Sequence, residues 1–220
     1  KSTAHGDNNM FEQQDYLYTQ AIAGIENGQI IQKNIINASI SRILQAQTQW
    51  EEILECATNP DIDIVFSNTT EQGLVYQEES IFDVLPNSFP GKLLVYLLHR
   101  FRFFMGDIDK GLTIIPTELL DNNGDLLKGF LLKLASYNKL ESEFISWLDL
   151  YNTFCNSLVD RIVPGTPQAS ELTSWHEKLG YKDELLLLSE PFGLWAIEGD
   201  ARVKEKLSFA QTDSGVKIIP

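Results

Sequence analysis

No two of the fourteen glycines stand two positions apart. The chain therefore carries no Gly-x-Gly-x-x-Gly phosphate loop, and it has no Gly-Lys-Ser/Thr either. Cysteine is scarce: Cys56 and Cys155 are far apart, with no Cys-x-x-Cys spacing. They read as two free thiols of a reducing compartment, not as a disulfide scaffold or zinc knuckle, and the expected address is the cytoplasm. His5, His99 and His176 are isolated. None has a second histidine or cysteine at ligand spacing, so they read as surface residues and no metal site is expected. There is no Gly-x-Ser-x-Gly elbow and no close Cys/His pair, which leaves only a triad assembled in space. Basic charge is also short, with 17 Lys and Arg against 31 Asp and Glu for a net −14. That field repels phosphate backbones and anionic lipid, so neither nucleic acid nor membrane is an expected partner. No apolar run reaches the ~20 residues that span a bilayer, and the polar stretch Lys1–Asn9 is no signal peptide; a soluble, unexported protein is expected.

What is present is enough apolar material, 43% of 220 residues, for one large domain. The first residue is Lys, and the last five, Val216 to Pro220, form an apolar strand-like run that would ordinarily pair with something. An internal piece of a longer enzyme is the expectation. Loss of only a few residues at each end is the alternative.

Along the chain, Tyr16–Ile25 and Gln29–Ile40 are rich in β-branched and aromatic residues around Asn27-Gly28, which predicts a hairpin with a type I′ turn. Thr48–Ala57 has helical spacing up to Asn59-Pro60, and Ile62–Phe66 is an apolar run of the kind buried in parallel sheets. Ser88 caps a predicted helix whose apolar face holds Leu93, Leu94, Leu97, Leu98, Phe101 and Phe104, with Lys92, Arg100 and Arg102 expected toward water. Leu112–Ile115 is a second buried strand, closed by Pro116, and Asn122–Asp125 opens a helix with a stripe of Leu126, Leu127, Phe130, Leu131 and Leu134. Glu141–Tyr151 is helical; Ser157–Val163 is strand or loop; Glu184–Leu188, Leu194–Glu198 and Val216–Ile219 read as strands. Arg161 to Lys182 reads as loop. The fold class is α/β with a mixed sheet and a β-hairpin extension.

Ligands of such folds bind beyond the carboxyl ends of parallel strands. After Phe66 comes Ser67-Asn68-Thr69-Thr70-Glu71, whose hydroxyls and amide suit a ribose or a carboxamide and equally suit a helix cap. After the Leu112 strand, Asn122 or Asn123 is a candidate donor to a carbonyl oxygen that gains charge as hydride arrives; capping is again the alternative. In the cluster Asn156–Arg161, Asp160 is a candidate acceptor for sugar hydroxyls and Arg161 for bidentate binding of a carboxylate, against the alternative of a surface ion pair.

Several strings then stand together: Lys1–Gly6 with Asp15–Thr19, Ser67–Glu71, Ser88–Leu93, Gly111–Leu119 leading into Asn122–Asp125, Asn156–Val163, and Glu190–Gly199. Over almost the full chain they resemble the mannitol dehydrogenase family, within it the branch that reduces tagaturonate to altronate. The resemblance implies a two-domain enzyme, with residues 1–220 forming the later part of an N-terminal Rossmann-type domain that carries NAD. The glycine loop would precede the chain. A helical domain, the natural partner of this one, would follow it. The resemblance further implies metal-free hydride transfer on a six-carbon sugar acid, with Ser67, Asn68, Thr69, Thr70 and Glu71 toward the cofactor and Asn122, Asn123, Asp160 and Arg161 toward the substrate. Fructuronate or a polyol such as mannitol is the alternative substrate, and a non-catalytic binding or folding module is the alternative of another class. The family's base is a lysine followed by Asn five residues on and His eight on. Only Lys133 has the Asn, Asn138, and its eighth residue is Glu141, so no catalytic residue is assigned within the chain. The family's Asn that helps bind the reacting oxygen falls near Leu119.

Overall fold

Asn27 and Gly28 take φ values of 49° and 76°, the doubly positive turn that lets two right-twisted strands run back antiparallel. They join β1 (Tyr18–Glu26) to β2 (Gln29–Asn37), paired from Tyr18 with Asn37 down to Glu26 with Gln29. In the computed structural model, which describes residues 9–70, 72–82, 85–212 and 215–220, this hairpin lies in one of two compact units. That unit comprises the described part of Thr3–Ile43 with Asp160–Leu194; the other comprises Leu44–Val159 with Trp195–Pro220.

The first unit begins with the short helix α1 (Asn9–Gln13). β7 (Leu187–Ser189) pairs parallel to β1 and completes a sheet of order β2-β1-β7. Few side chains are buried here: Thr19, Ala21, Ile22, Pro167, Asp183, Leu186 and Ser189. The strand expected at Glu184–Leu188 pairs only from Leu187, because the Asp183 carboxylate accepts from the Leu185 amide and turns the preceding residues. The stretch expected as loop holds α6 (Ala169–Leu179), which buries no residue. Its apolar face is thin, Leu172, Trp175 and Leu179 at helical spacing, each only half-buried. Gly180, at φ 79°, ends it in the left-handed conformation that glycine adopts without strain.

The second unit alternates helix and strand: α2 (Trp50–Ala57), β3 (Ile64–Ser67), α3 (Phe89–Phe103), β4 (Thr113–Pro116), α4 (Asn123–Tyr137), α5 (Ser142–Tyr151) and β5 (Thr153–Phe154). β3, β4 and β5 form a parallel sheet with β4 central and wholly buried. A third sheet has the order β6-β8-β9, from β6 (Ser157–Asp160), β8 (Leu194–Glu198) and β9 (Val216–Ile219); α7 (Ala201–Lys206) lies between β8 and β9 in sequence. The strands fall into three three-stranded sheets, and β2-β1-β7 mixes the two pairing directions.

Ser88 caps α3 as its position predicts, its hydroxyl accepting from the Gly91 amide at 2.9 Å. The leucine stripes of α3, α4 and α5 meet in one core, where Leu94, Leu97, Leu127, Leu131, Leu134, Phe144 and Leu148 are 0% exposed. Each such side chain contributes roughly 1.5–3 kcal/mol by leaving water.

Two basic residues expected at the surface of α3 are buried. Lys92 donates to the Asn87 carbonyl at 2.7 Å, and burial pulls its ammonium below the ordinary lysine value. Arg100 is 1% exposed and donates to the carbonyls of Ala57, Asn59, Ile62 and Lys110. The planar guanidinium satisfies four backbone acceptors at once, which a helical wheel cannot show. Arg102 alone of the three is exposed, paired with Glu141. Neither cysteine is in a disulfide, and among the described residues no helix is long and apolar enough to cross a membrane.

Candidate functional site

The parallel register pairs Ser67 with Pro116 at the carboxyl ends of β3 and β4. The two following segments therefore leave the sheet side by side, at the edge where α/β sheets place ligands. They are tied at once: the Thr117 amide and hydroxyl both donate to the Ser67 carbonyl, at 2.8 and 2.7 Å. Asn68, Thr70, Gln72, Thr117, Glu118, Leu119 and Val159 line a cleft of about 540 Å³ there.

The five residues assigned to a cofactor divide by the alternation of extended backbone. Ser67 and Thr69 turn inward, where the Ser67 hydroxyl and the Thr69 amide and hydroxyl all donate to the Glu118 carboxylate. Asn68 and Thr70 are exposed and line the cleft. Glu71 lies outside the described residues, as do Lys1–Gly6. Thr70 has φ 70°; for a β-branched residue this region is strained by roughly 1–3 kcal/mol, and such strain gathers at functional sites.

The adjacent asparagines have opposite fates. Asn123 is 0% exposed. Its amide nitrogen donates to the carbonyls of Pro116, Glu118 and Ser157, while its oxygen accepts from the Ser157 amide. No hydrogen remains for a substrate, so the donor role expected of Asn123 is corrected to a structural one: it locks the start of α4 to the end of β4 and the start of β6. Gly124 belongs to the same lock, since a Cβ there would meet the Cys155 backbone at 2.6 Å. Asn122 is exposed at φ 53° and makes no side-chain cap bond. It keeps its amide free for another partner. Leu119, 59% exposed, offers the cleft an apolar surface in place of an amide.

Asp160 and Arg161 belong to the other compact unit. Asp160 is exposed at the end of β6. Arg161 directs its guanidinium at its own chain, donating to the carbonyls of Glu190 and Pro191 at 3.2 and 3.4 Å. The Glu190 carboxylate returns the contact by accepting from the Ile162 amide at 2.6 Å. The stretches beginning at Asn156 and Glu190 are thus stitched together, and this geometry is a clamp on the backbone rather than a fork held open for a carboxylate. Lys133 lies over the Tyr76 ring at 5.6 Å, and the Asn138 amide bridges the Glu79 and Leu134 carbonyls. That pair is occupied structurally.

Sequence reasoning missed Glu118. Its signal was faint: one acidic residue two places after the proline that ends a buried strand. Only tertiary structure brings the donors, 49 and 51 residues earlier, to it.

Residues 7–211 match the mannitol dehydrogenase Rossmann domain. Among curated relatives, the altronate oxidoreductase of Halalkalibacterium halodurans is 43% identical over 207 residues, covering 94% of this chain and 40% of that protein. The altronate oxidoreductase of Bacillus subtilis is 40% identical over 210 residues, covering 94% and 43%. The chain therefore spans about two-fifths of the length of the relatives it matches. Among solved structures, Pseudomonas fluorescens mannitol 2-dehydrogenase in ternary complex with NAD and D-mannitol superposes with a TM-score of 0.76, at 23% identity, over 96% of this chain and 43% of that one. That likeness speaks to the fold. Parallel strands, the cleft at their carboxyl ends and the extent of the match agree: the chain belongs to the mannitol dehydrogenase family and carries its Rossmann domain.

Proposed function

We propose that these residues are the later part of the cofactor domain of an NAD-dependent oxidoreductase that interconverts tagaturonate and altronate. The observation that carries the reading is identity of 40–43% with altronate oxidoreductases across 94% of the chain. The cleft fits one half of a dinucleotide. At about 540 Å³ it has room for a nucleoside, and Asn68, Thr70 and Thr117 put amide and hydroxyl groups at its wall. The sequence has no glycine-rich phosphate loop, and that half of the site belongs upstream. A helical domain downstream supplies the lysine base and closes over the sugar acid.

When bound, NADH would supply a hydride to the carbonyl carbon of the ketouronate, and the carbonyl oxygen would take a proton to give the secondary alcohol. In this chain Asn68 and Thr70 bind the nucleoside, Leu119 excludes water beside it, and Asn122 is free to donate to the oxygen as charge develops. Asp160 accepts from sugar hydroxyls. No step calls for nucleic acid or membrane, and the cytoplasm, where NADH is available, is the working compartment.

Tagaturonate, fructuronate and fructose, each offered with NADH to the full-length polypeptide, test this by loss of NADH absorbance. Turnover fastest with tagaturonate supports the assignment. Preference for fructuronate or fructose moves the substrate within the family, and absence of turnover with all three, in folded protein, leaves a binding module.

A further inference from the structure

Glu118 is 2% exposed and has no cation against it among the described residues; its hydrogen-bond donors are the Ser67 hydroxyl at 2.9 Å and the Thr69 amide and hydroxyl, both at 2.8 Å. A buried carboxylate is retained only where its acceptors are used. Here they fix the last residue of β3, Ser67, and Thr69 two places on, which orients the residues between and beyond them, Asn68 and Thr70, into the cleft. Glu118 is itself held from behind, its carbonyl accepting from the buried Asn123 amide at 2.9 Å. On the far side the Gly73 amide donates to the Thr70 carbonyl at 3.0 Å, and a Cβ at Gly73 would collide with the Thr69 carbonyl oxygen. Thr70, with its positive φ, is thus gripped from both sides in a conformation it would not choose alone.

We propose that Glu118 is a positioning residue for the nicotinamide-nucleoside half of the cofactor, holding Thr70 in its left-handed conformation so that Asn68 and Thr70 face that ligand. This rests on the dinucleotide reading above. It concerns the nicotinamide half because the phosphate loop that binds the other half opens the first mononucleotide unit of such folds, and no such loop occurs in this chain.

Calorimetric titration of the full-length protein with NADH and with ADP-ribose, which lacks the nicotinamide nucleoside, tests it on four forms: wild type, E118A, E118Q and T70G. Glu118→Ala frees the loop and weakens NADH by about tenfold or more while ADP-ribose stays within about twofold. Glu118→Gln keeps an oxygen for both Thr69 donors and reverses the Ser67 bond, so NADH stays within about threefold of wild type. Thr70→Gly relieves the backbone: its melting temperature does not fall, yet NADH weakens. That opposition is one a merely structural residue would not give, and it decides the matter if E118A fails to fold. Equal weakening of both ligands in E118A, or wild-type NADH affinity in both E118A and T70G, overturns the positioning role while the oxidoreductase reading stands. If wild type binds neither ligand, the dinucleotide reading fails and this inference with it.

Discussion

The two compact units keep their shapes by different means. The larger has a continuous apolar core of leucines and aromatics from three helices. The smaller exposes most of its hairpin, including Ile25 and Ile30 at 75% and 80%, and is tied by a polar knot at Asp183. The Asp183 carboxylate accepts from the Gln14 amide and from the backbone of Thr19 and Leu185 at 2.6 to 2.9 Å. The Thr19 hydroxyl and that of Tyr181 share a further bond at 2.9 Å. An apolar core distributes stability over many contacts, so single losses are graded. A polar knot concentrates it in one side chain whose removal orphans several buried groups together.

The sharpest way to break this contrast is Arg100, the polar knot inside the apolar unit. Arg100→Met leaves four backbone carbonyls without their donor, and we expect a loss of at least ~3 kcal/mol by urea denaturation. A neutral result would mean that water reaches those carbonyls and that the larger unit rests on its leucines alone. Next comes Asp183→Ala, expected to cost ~2 kcal/mol because the Thr19 amide, in a residue 1% exposed, is left unpaired. Protease nicking within residues 9–43 should speed up in this variant; unchanged cleavage would put the knot's importance elsewhere.

Acid sharpens the same point with a smaller effect. Burial alone would raise the Asp183 carboxyl, but hydrogen bonds from Gln14, Thr19 and Leu185 hold it below its ordinary value of 3.8. A depressed carboxyl stabilises above its unfolded value and loses that contribution as pH falls through the folded one. Wild type should therefore lose stability below about pH 4 more steeply than Asp183→Ala, read from urea midpoints across that range. Parallel curves would remove Asp183 from the acid response. The smallest effect is expected at Arg102 and Glu141, whose side chains are 55% and 36% exposed. Although Arg102 holds Glu141 below the ordinary carboxylate range, Arg102→Ala should change stability by less than ~0.5 kcal/mol, since solvent screens such a pair.

Elements with a local cause were legible beforehand. Asn27-Gly28 could serve little else than a turn with two positive φ values; Ser88 capped α3 as its position predicted; Pro116 closed β4 because a strand cannot continue its ladder through proline. Helix α6 was hard to read because its apolar stripe is thin, Leu172, Trp175 and Leu179 among eight polar or small residues, and none of them is fully buried. The site was half legible. Its place after two buried strands could be read, and so could the choice between ligand and cap for each polar residue, but not the outcome: inward for Ser67, Thr69 and Asn123, outward for Asn68, Thr70 and Asn122.

By itself the sequence determined what depends on neighbours along the chain: the hairpin turn, the capped helices with their leucine faces, the buried strands, and the strings that mark the mannitol dehydrogenase family. Tertiary structure decided what depends on groups far apart in sequence: that Arg100 and Glu118 are buried, that Asn123 is a lock rather than a donor, and that Arg161 clamps Glu190 and Pro191. A polar side chain has several possible partners of similar energy, and only the packed fold, by excluding water and bringing one set within 3 Å or so, selects among them.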